Sequence, residues 1–250
     1  MAELREAIYA GSFYPAKKDK LLKMVKGFLS KAKTAEEINY KKIRAAIVPH
    51  AGYEFSGPVA AFAYNAMQEA KPEKIILIGP SHHAYFEGAF TFKNDWVSPL
   101  GKVKVKPAKL PAMENDMEHS LEVQLPFLQA VLKKFSLTPV IYGDISQEGL
   151  YSILKKEKGF YLVSSDLSHY LPYEDASKED KETINAILNL DEEMLDKTGD
   201  ACGKTGIGAL LILAKKNHWK PVLLDYRNSG DTFGDKEKVV GYAAVVFTEQ

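Results

Sequence analysis

The sequence predicts a single α/β domain spanning residues 1–250, with a largely parallel central sheet flanked by helices. Two observations favour this class. Short β-rich apolar runs alternate with amphipathic stretches along the chain, and several of these runs are followed at once by a polar motif that contains histidine. With 46% hydrophobic residues, the 250-residue chain can bury a large core and lies near the upper size of one domain.

The elements follow from these patterns in order. Residues 17–31 carry apolar side chains at helical spacing among lysines, which predicts a surface helix packed by one face. Further helices are predicted over 60–70 and 149–156, and a last apolar helix over 207–215. Six apolar runs are predicted as strands of the main sheet: residues 44–48, 74–78, 137–142, 160–164, 222–226 and 239–247.

Three other segments have distinct signatures. Residues 88–106 look like strands joined by a Pro/Gly turn, which predicts a small antiparallel excursion from the main sheet. Residues 192–197 look helical, and residues 228–235 form a loop between the last two strands.

Composition excludes several classes of protein. Lys plus Arg number 33 and Asp plus Glu also 33, so no basic field is available for a nucleic-acid backbone. No apolar run reaches the ~18 residues that a membrane span requires, and the charged start does not resemble a secretory signal. We therefore expect a soluble, cytoplasmic protein with neither nucleic acid nor membrane as a partner. The single cysteine excludes an internal disulfide.

Histidines follow three predicted strands at the point where each strand ends. His50, His82 and His169 come after the runs ending near residues 48, 79 and 164. In open α/β sheets the carboxyl ends of parallel strands form the usual ligand-binding edge. A lone histidine after a strand is more often a surface residue, but three in one topological position favour a site.

The other histidines are read differently. His83 cannot share the direction of His82 on an extended backbone, so only one of the pair should be a ligand. His218 lies in a lysine-rich stretch and is interpreted as a surface residue. His119 precedes Ser120 at a predicted helix start, where it either caps the helix or belongs to the site.

Cys202 precedes a predicted helix in a glycine-rich stretch beside Lys204. A thiol in such a place is expected to have a lowered pKa and to act as a thiolate, although a small buried core residue is the alternative. The neighbouring Gly-Lys-Thr is not a phosphate-binding loop, because Gly199 and Gly203 enclose three residues where that motif has four.

Taken together, these motifs resemble the Memo family over nearly the whole chain. The strings that carry the resemblance are Ala-Gly-Ser-Phe-Tyr (10–14), Pro-His-Ala-Gly-Tyr (49–53), Gly-Pro-Ser-His-His (79–83), Glu-His-Ser (118–120), Ser-Ser-Asp (164–166) with His169, and Cys-Gly (202–203).

The resemblance implies a fold like that of class III extradiol ring-cleaving dioxygenases, which hold non-haem iron by two histidines and a glutamate. His50 and His82 match the two histidines, and Cys202 stands where those enzymes carry the glutamate. His169 matches their acid/base histidine, and Asp166 lies near it in the family's pocket. The cysteine departs from the ring-cleaving pattern. In animals the family is implicated in cell motility, with proposed phosphotyrosine-peptide binding.

Three functions remain open at this point. The first is a metal-dependent redox enzyme or oxygenase that uses Fe(II), or else copper(I) or zinc, on a small substrate; Tyr14, Tyr53, Phe55 and Tyr170 could wall its pocket. The second is a hydrolase with Cys202 as nucleophile and His169 as base. The third is a non-catalytic module that binds a peptide or phosphopeptide. The sequence also leaves assembly into a homo-oligomer open.

Overall fold

The structure is a computed structural model that describes residues 4–33, 38–113 and 117–249. Its strands are β1 (Leu4–Arg5), β2 (Ile43–Val48), β3 (Lys74–Pro80), β4 (Ala89–Thr91), β5 (Asp95–Ser98), β6 (Gly101–Val105), β7 (Ser136–Tyr142), β8 (Phe160–Ser164), β9 (His169–Leu171), β10 (Trp219–Asn228) and β11 (Val239–Glu249). Its α-helices are α1 (Lys18–Lys31), α2 (Tyr53–Ala70), α3 (His119–Glu122), α4 (Leu125–Val131), α5 (Gln147–Leu154), α6 (Tyr173–Leu188), α7 (Glu192–Lys197), α8 (Lys204–Asn217) and α9 (Ser229–Thr232). A 3₁₀ turn spans Tyr40–Lys42.

The central strands lie parallel in the order β6-β7-β3-β8-β2, and β11 and β10 follow antiparallel at one edge. β8 is inserted between β3 and β2, although it comes later in the chain than both. The carboxyl ends of β3, β8 and β2 are therefore neighbours at one edge of the sheet. This placement meets the condition for a ligand site at the switch point of an α/β sheet.

Both faces of the sheet are covered, which explains the continuous apolar runs of the parallel strands. On one face α1, α2 and α4 pack against strand residues such as Ala46, Val48 and Leu77. On the other face α5, α6 and α8 pack against the alternate residues, including Ile47 and Ile78. The two buried cores hold the strands, and hence their carboxyl-end loops, in a fixed arrangement.

The predicted fold class is confirmed, as are the strands and most of the helices, with small shifts of their bounds. The segment 88–106 contains the predicted antiparallel strands, β5 and β6, joined at the Pro/Gly turn. It is not an excursion from the main sheet, because β4 and β6 both pair with β7. The predicted loop 228–235 contains α9, whose first turn is closed by a capping box from Asn228 and Asp231. Within the described residues, no helix has the length and apolar character to cross a membrane.

Two helices begin earlier than predicted. α2 starts at Tyr53 and accommodates Pro58 in its second turn, where Gly57 packs against the ring of Phe28. α8 starts at Lys204 because its glycines serve helix packing and not a loop. A Cβ on Gly208 would lie 1.9 Å from the side-chain oxygen of Gln147.

Candidate metal centre

The candidate site lies at the carboxyl ends of β2, β8 and β3. His50 follows β2 by two residues, His82 follows β3 by two, and Ser164 is the last residue of β8, between them. Cys202 approaches from the turn before α8. His50 and Cys202 are far apart in the sequence. They come close in the fold because β8 is inserted beside β2 and the turn before α8 lies at the end of β8.

The protonation of the His50 ring follows from its partner. Ser164 Oγ donates to the carbonyl oxygen of Ser120 at 2.6 Å and accepts from Gln124 Nε2 at 2.8 Å. Because the hydroxyl has only one proton, its 2.9 Å contact with His50 Nδ1 must be donated by the ring. His50 therefore carries its proton on Nδ1 and presents the lone pair of Nε2. Burial, and the nearby His82 ring, lower the pKa of His50 to about 3, so the ring is neutral.

His82 is oriented in the same way by a carboxylate. Glu118 Oε1 accepts from His82 Nδ1 at 2.8 Å, and its other oxygen accepts from the His82 backbone N–H at 2.6 Å. Burial alone would raise the pKa of Glu118, but the hydrogen bonds from the His82 ring, the His82 backbone and the Ser120 backbone, and the charge of the ring whenever it is protonated, outweigh it and hold this pKa at about 2. Glu118 is thus an anion that fixes the Nδ1–H tautomer of His82 and leaves Nε2 free to bind a ligand.

Cys202 Sγ lies 3.2 Å from His50 Nε2 and accepts from the backbone N–H of Asp166 at 3.2 Å. The expected lowering of its pKa is wrong for the free thiol: burial, and the nearby Asp166 carboxyl, raise the pKa of Cys202 well above its ordinary value. Lys204 does not counteract this, because its Nζ donates to the carbonyl oxygen of Thr198. The thiolate form accordingly requires a cation at the sulfur.

The donor atoms of His50, His82 and Cys202 all lie within 4.8 Å of one another. The rings of His50 and His82 meet edge to face, with centroids 5.1 Å apart. His83 lies outside this group, and its Nε2 contacts the Tyr9 hydroxyl at 3.0 Å. His218 is the left-handed C-cap of α8, remote from the site in the fold.

His119 lies against the same cluster. It is the first residue of α3, and the N-cap is Glu118, whose side chain accepts from the Ser120 N–H. The His119 ring centroid is 4.5 Å from that of His82 and 5.3 Å from that of His50. Its buried Nδ1 lies 3.2 Å from Glu118 Oε1 without hydrogen-bond geometry. His119, His82 and Glu118 make a second group of neighbouring donor atoms.

Asp166 and His169 lie on the segment that follows β8. Asp166 Oδ1 accepts from the backbone N–H of His50 at 2.7 Å, and its Oδ2 is 4.0 Å from His50 Nε2. Burial raises the pKa of Asp166. His169 Nδ1 donates to the carbonyl oxygen of Asp200 at 3.1 Å, which leaves Nε2 as the acceptor nitrogen. In the described contacts Asp166 does not hydrogen-bond His169.

A cleft of about 540 Å³ opens above these residues, a volume typical of small-molecule sites. Its floor and walls comprise Phe13, His50, Ala51, Gly52, Phe55, His82, His119, Asp166, His169, Tyr170, Ser229, Lys238, Val240 and Tyr242. Of the four aromatic residues expected at the pocket, Phe55 and Tyr170 line it. Tyr14 and Tyr53 are buried core residues instead.

The sequence did not single out the residues that support the site. Ser164 and Glu118 belong to two of the motifs that carry the family resemblance, Ser-Ser-Asp and Glu-His-Ser, and nothing else in the sequence indicated their role. Glu122 is a third example: its buried carboxylate accepts from Arg5 at 2.6 Å and from the Tyr14 hydroxyl at 2.6 Å. It also accepts from the backbone of Tyr9, and so it fixes the N-terminal segment that carries Phe13 into the cleft.

Comparisons with known proteins identify the family of the chain. Residues 5–246 match the family described as Memo-like protein. A MEMO1 family protein of Nitrosopumilus maritimus is 34% identical, covering 98% of this chain and 99% of its own. One from Thermoplasma acidophilum is 34% identical over 97% and 98% of the two chains, and one from Aquifex aeolicus is 34% identical over 98% and 99%. The resemblance seen in the motifs thus extends over nearly the whole chain, and the chain belongs to the Memo family.

Proposed function

We propose that this protein is a metal-dependent redox enzyme or oxygenase, whose single transition-metal ion is held by His50, His82 and Cys202 and whose small substrate binds in the cleft. The observation that carries the proposal is the convergence of one donor atom from each of His50, His82 and Cys202 within 4.8 Å of one another. Fe(II) is the expected ion, and copper(I) and zinc are its competitors because thiolate favours softer ions.

The donor set fits such an ion. Ligand atoms bound at ~2.0 to 2.3 Å around one metal lie roughly 3 to 4 Å apart, so small side-chain movements suffice. Both imidazoles are already held in the tautomer that a metal needs, by Ser164 and Glu118. When bound, the ion would supply Lewis acidity, a redox couple and open coordination positions.

The residues around the donors have separate tasks in this proposal. His169, with Nδ1 engaged by the Asp200 carbonyl, accepts or returns a proton through Nε2 at the cleft. Asp166 fixes the His50 backbone and places a carboxyl group on the same floor. His119 closes the floor beside His82, with its ring packed on Phe13 at a centroid distance of 4.8 Å.

The test is anaerobic titration of the metal-free protein with Fe(II), copper(I) and zinc, followed by oxygen-uptake screening of the loaded protein. His50→Ala, His82→Ala and Cys202→Ser should each weaken binding of the ion at least tenfold. His218→Asn is the matched control, because asparagine tolerates the left-handed backbone of His218 (φ 55°) and the residue caps α8 away from the site. Equal affinity in all five proteins would reject the metal centre.

The cysteine hydrolase receives less support. Its base would have to be His169 oriented by Asp166, but the Asp166 Oδ1 accepts from His50 and the His169 Nδ1 donates to Asp200. A buried thiol with a raised pKa is also a poor nucleophile. Metal content separates the two functions, since such a hydrolase needs no ion.

A further inference from the structure

The cleft has an uneven distribution of charge that bears on its substrate. Lys238 is the only Lys or Arg among its lining residues, and it is exposed at the rim. Within the described part of the chain, no carboxylate lies within ion-pair distance of its Nζ. The one carboxylate of the floor, Asp166, is already engaged by the backbone of His50.

The sheet register fixes where Lys238 stands relative to the floor. β11 runs antiparallel to β9, and Val240 is the register partner of His169. Lys238 lies two residues further out, about 7 Å along an extended chain. Val239, between them, is fully buried, whereas Lys238 and Val240 both line the cleft. The lysine is thus displaced outward from the level of the acid/base histidine.

Apolar and aromatic side chains line much of the cleft that Lys238 shares with the histidines. Phe13, Phe55, Tyr170 and Val240 line the walls, and Phe233 packs on Phe55 with ring centroids 4.7 Å apart. Tyr170 is 71% exposed and has φ 59°, a backbone conformation that a bulky residue rarely adopts. The Tyr170 side chain lines the cleft, with its ring centroid 6.0 Å from that of His169. Exposed aromatic surface around a polar floor is suited to the apolar body of a ligand.

We propose that the substrate is a small organic acid, whose apolar or aromatic body lies between Tyr170 and Phe55 and whose carboxylate is bound by Lys238 at the rim. The inference rests on the proposed function, in that it takes this cleft as the substrate site. It makes Lys238 a specificity-determining residue. Anchoring the acid at the rim directs the opposite end of the molecule toward His50, His82 and His169.

The experiment compares two probes of the same shape, 3-phenylpropanoate and its neutral amide, by calorimetric titration of the metal-free protein. The acid should bind about fivefold more tightly than the amide at low salt, as expected for one exposed ion pair, and the difference should shrink as salt is added. Lys238→Gln should abolish this preference. Lys236→Gln should keep it, because Lys236 lies over the Tyr173 ring at 4.4 Å and does not line the cleft. Tyr170→Ala should weaken both probes equally.

Equal binding of acid and amide to the unaltered protein would overturn the proposal, as would a preference that survives Lys238→Gln or the absence of binding by either probe. Since the titrations use metal-free protein, they are independent of the metal centre. A retained acid preference with no metal affinity would reject the proposed function alone. Metal binding without acid preference would reject this inference alone.

Discussion

His50 and His82 meet one chemical requirement through different partners. Each ring must keep its proton on Nδ1 so that Nε2 is available, and Ser164 does this for His50 whereas Glu118 does it for His82. The serine is a neutral acceptor and the glutamate is an anion, so the charge of Glu118 also polarises the His82 ring. Loss of Glu118 should therefore affect ion binding more than its distance from the ion suggests.

Glu118→Gln tests this support. The amide keeps the shape of the side chain but removes the charge that polarises the His82 ring. We expect the affinity for Fe(II) or zinc to fall about 10- to 100-fold, as for other partners of metal-binding histidines. The measurement is competition with a chromophoric chelator. Glu157→Gln, which removes a carboxylate paired with Lys74 far from the cleft, should leave the affinity unchanged.

Proton release on metal binding tests the role of Cys202. The pKa of the free thiol is raised, so the group is protonated through neutral pH, and binding an ion as thiolate must release one proton. The pKa of His50, at about 3, means that this ring is neutral and releases none. The logarithm of the binding constant should thus rise with pH more steeply than in Cys202→Ser, by about one for each pH unit between roughly pH 6 and 8.

Calorimetry in buffers of different ionisation enthalpy counts the released protons. The unaltered protein should release about one more proton for each ion than Cys202→Ser, because a serine hydroxyl stays protonated. A slope shared by both proteins would show that the sulfur does not bind the ion as a thiolate.

At the scale of elements, the close approach of the turn before α8 to the end of β8 positions Cys202. Gly203 is the N-cap of α8, and its N–H donates to Ser165 Oγ at 2.9 Å. A Cβ at this position would lie 2.4 Å from the Ser165 Cβ. Any side chain there must push the helix start, and Cys202 with it, away from the end of β8.

Gly203→Ala should consequently reduce both stability and metal affinity. We expect a loss of roughly 1 to 3 kcal/mol in the free energy of unfolding, the usual cost of overpacking, together with weaker binding of the ion. Gly27→Ala is the matched control, since Gly27 lies in α1 with nothing within 4 Å of an added Cβ. It should stabilise the protein by about 0.5 to 1 kcal/mol and leave the metal affinity intact. Urea unfolding and metal titration of both variants measure the two effects; unaltered metal binding in Gly203→Ala would contradict the positioning role.

At the scale of the whole molecule, an element could be predicted from the sequence when neighbouring residues determine its bounds, and was missed when contacts between distant residues determine them. The strand Phe160–Ser164 was predicted with its bounds because its apolar run is closed at both ends by turn residues. The start of α2 was missed because Gly57 and Pro58 look like a helix break, whereas Gly57 is needed by the ring of Phe28, a contact between distant residues. The start of α8 was missed for the same reason. Gly206 looks like a loop residue, but it packs closely against Tyr142, which is distant in the sequence.

The same distinction applies to the candidate site, where the donor residues were predicted and the residues that orient them were not. His50, His82 and Cys202 were predicted to converge, and the structure brings their donor atoms together. The oxygens that orient them were not predicted, because Ser164 reaches His50 only through the insertion of β8 between β2 and β3. Strand order is a property of the assembled sheet, and no short stretch of sequence encodes it.

The late position of β8 in the chain also bears on how the protein folds. β2 and β3 leave the ribosome first, but they cannot pair with each other, since the gap between them belongs to a strand about 80 residues further on. Contacts of such long sequence separation close slowly. Until β8 is inserted, His50 lacks its oxygen partner and the two imidazoles have no fixed spacing. Metal binding should accordingly be one of the last events of folding. A chain that is still being synthesised would have no preformed site to bind a reactive ion.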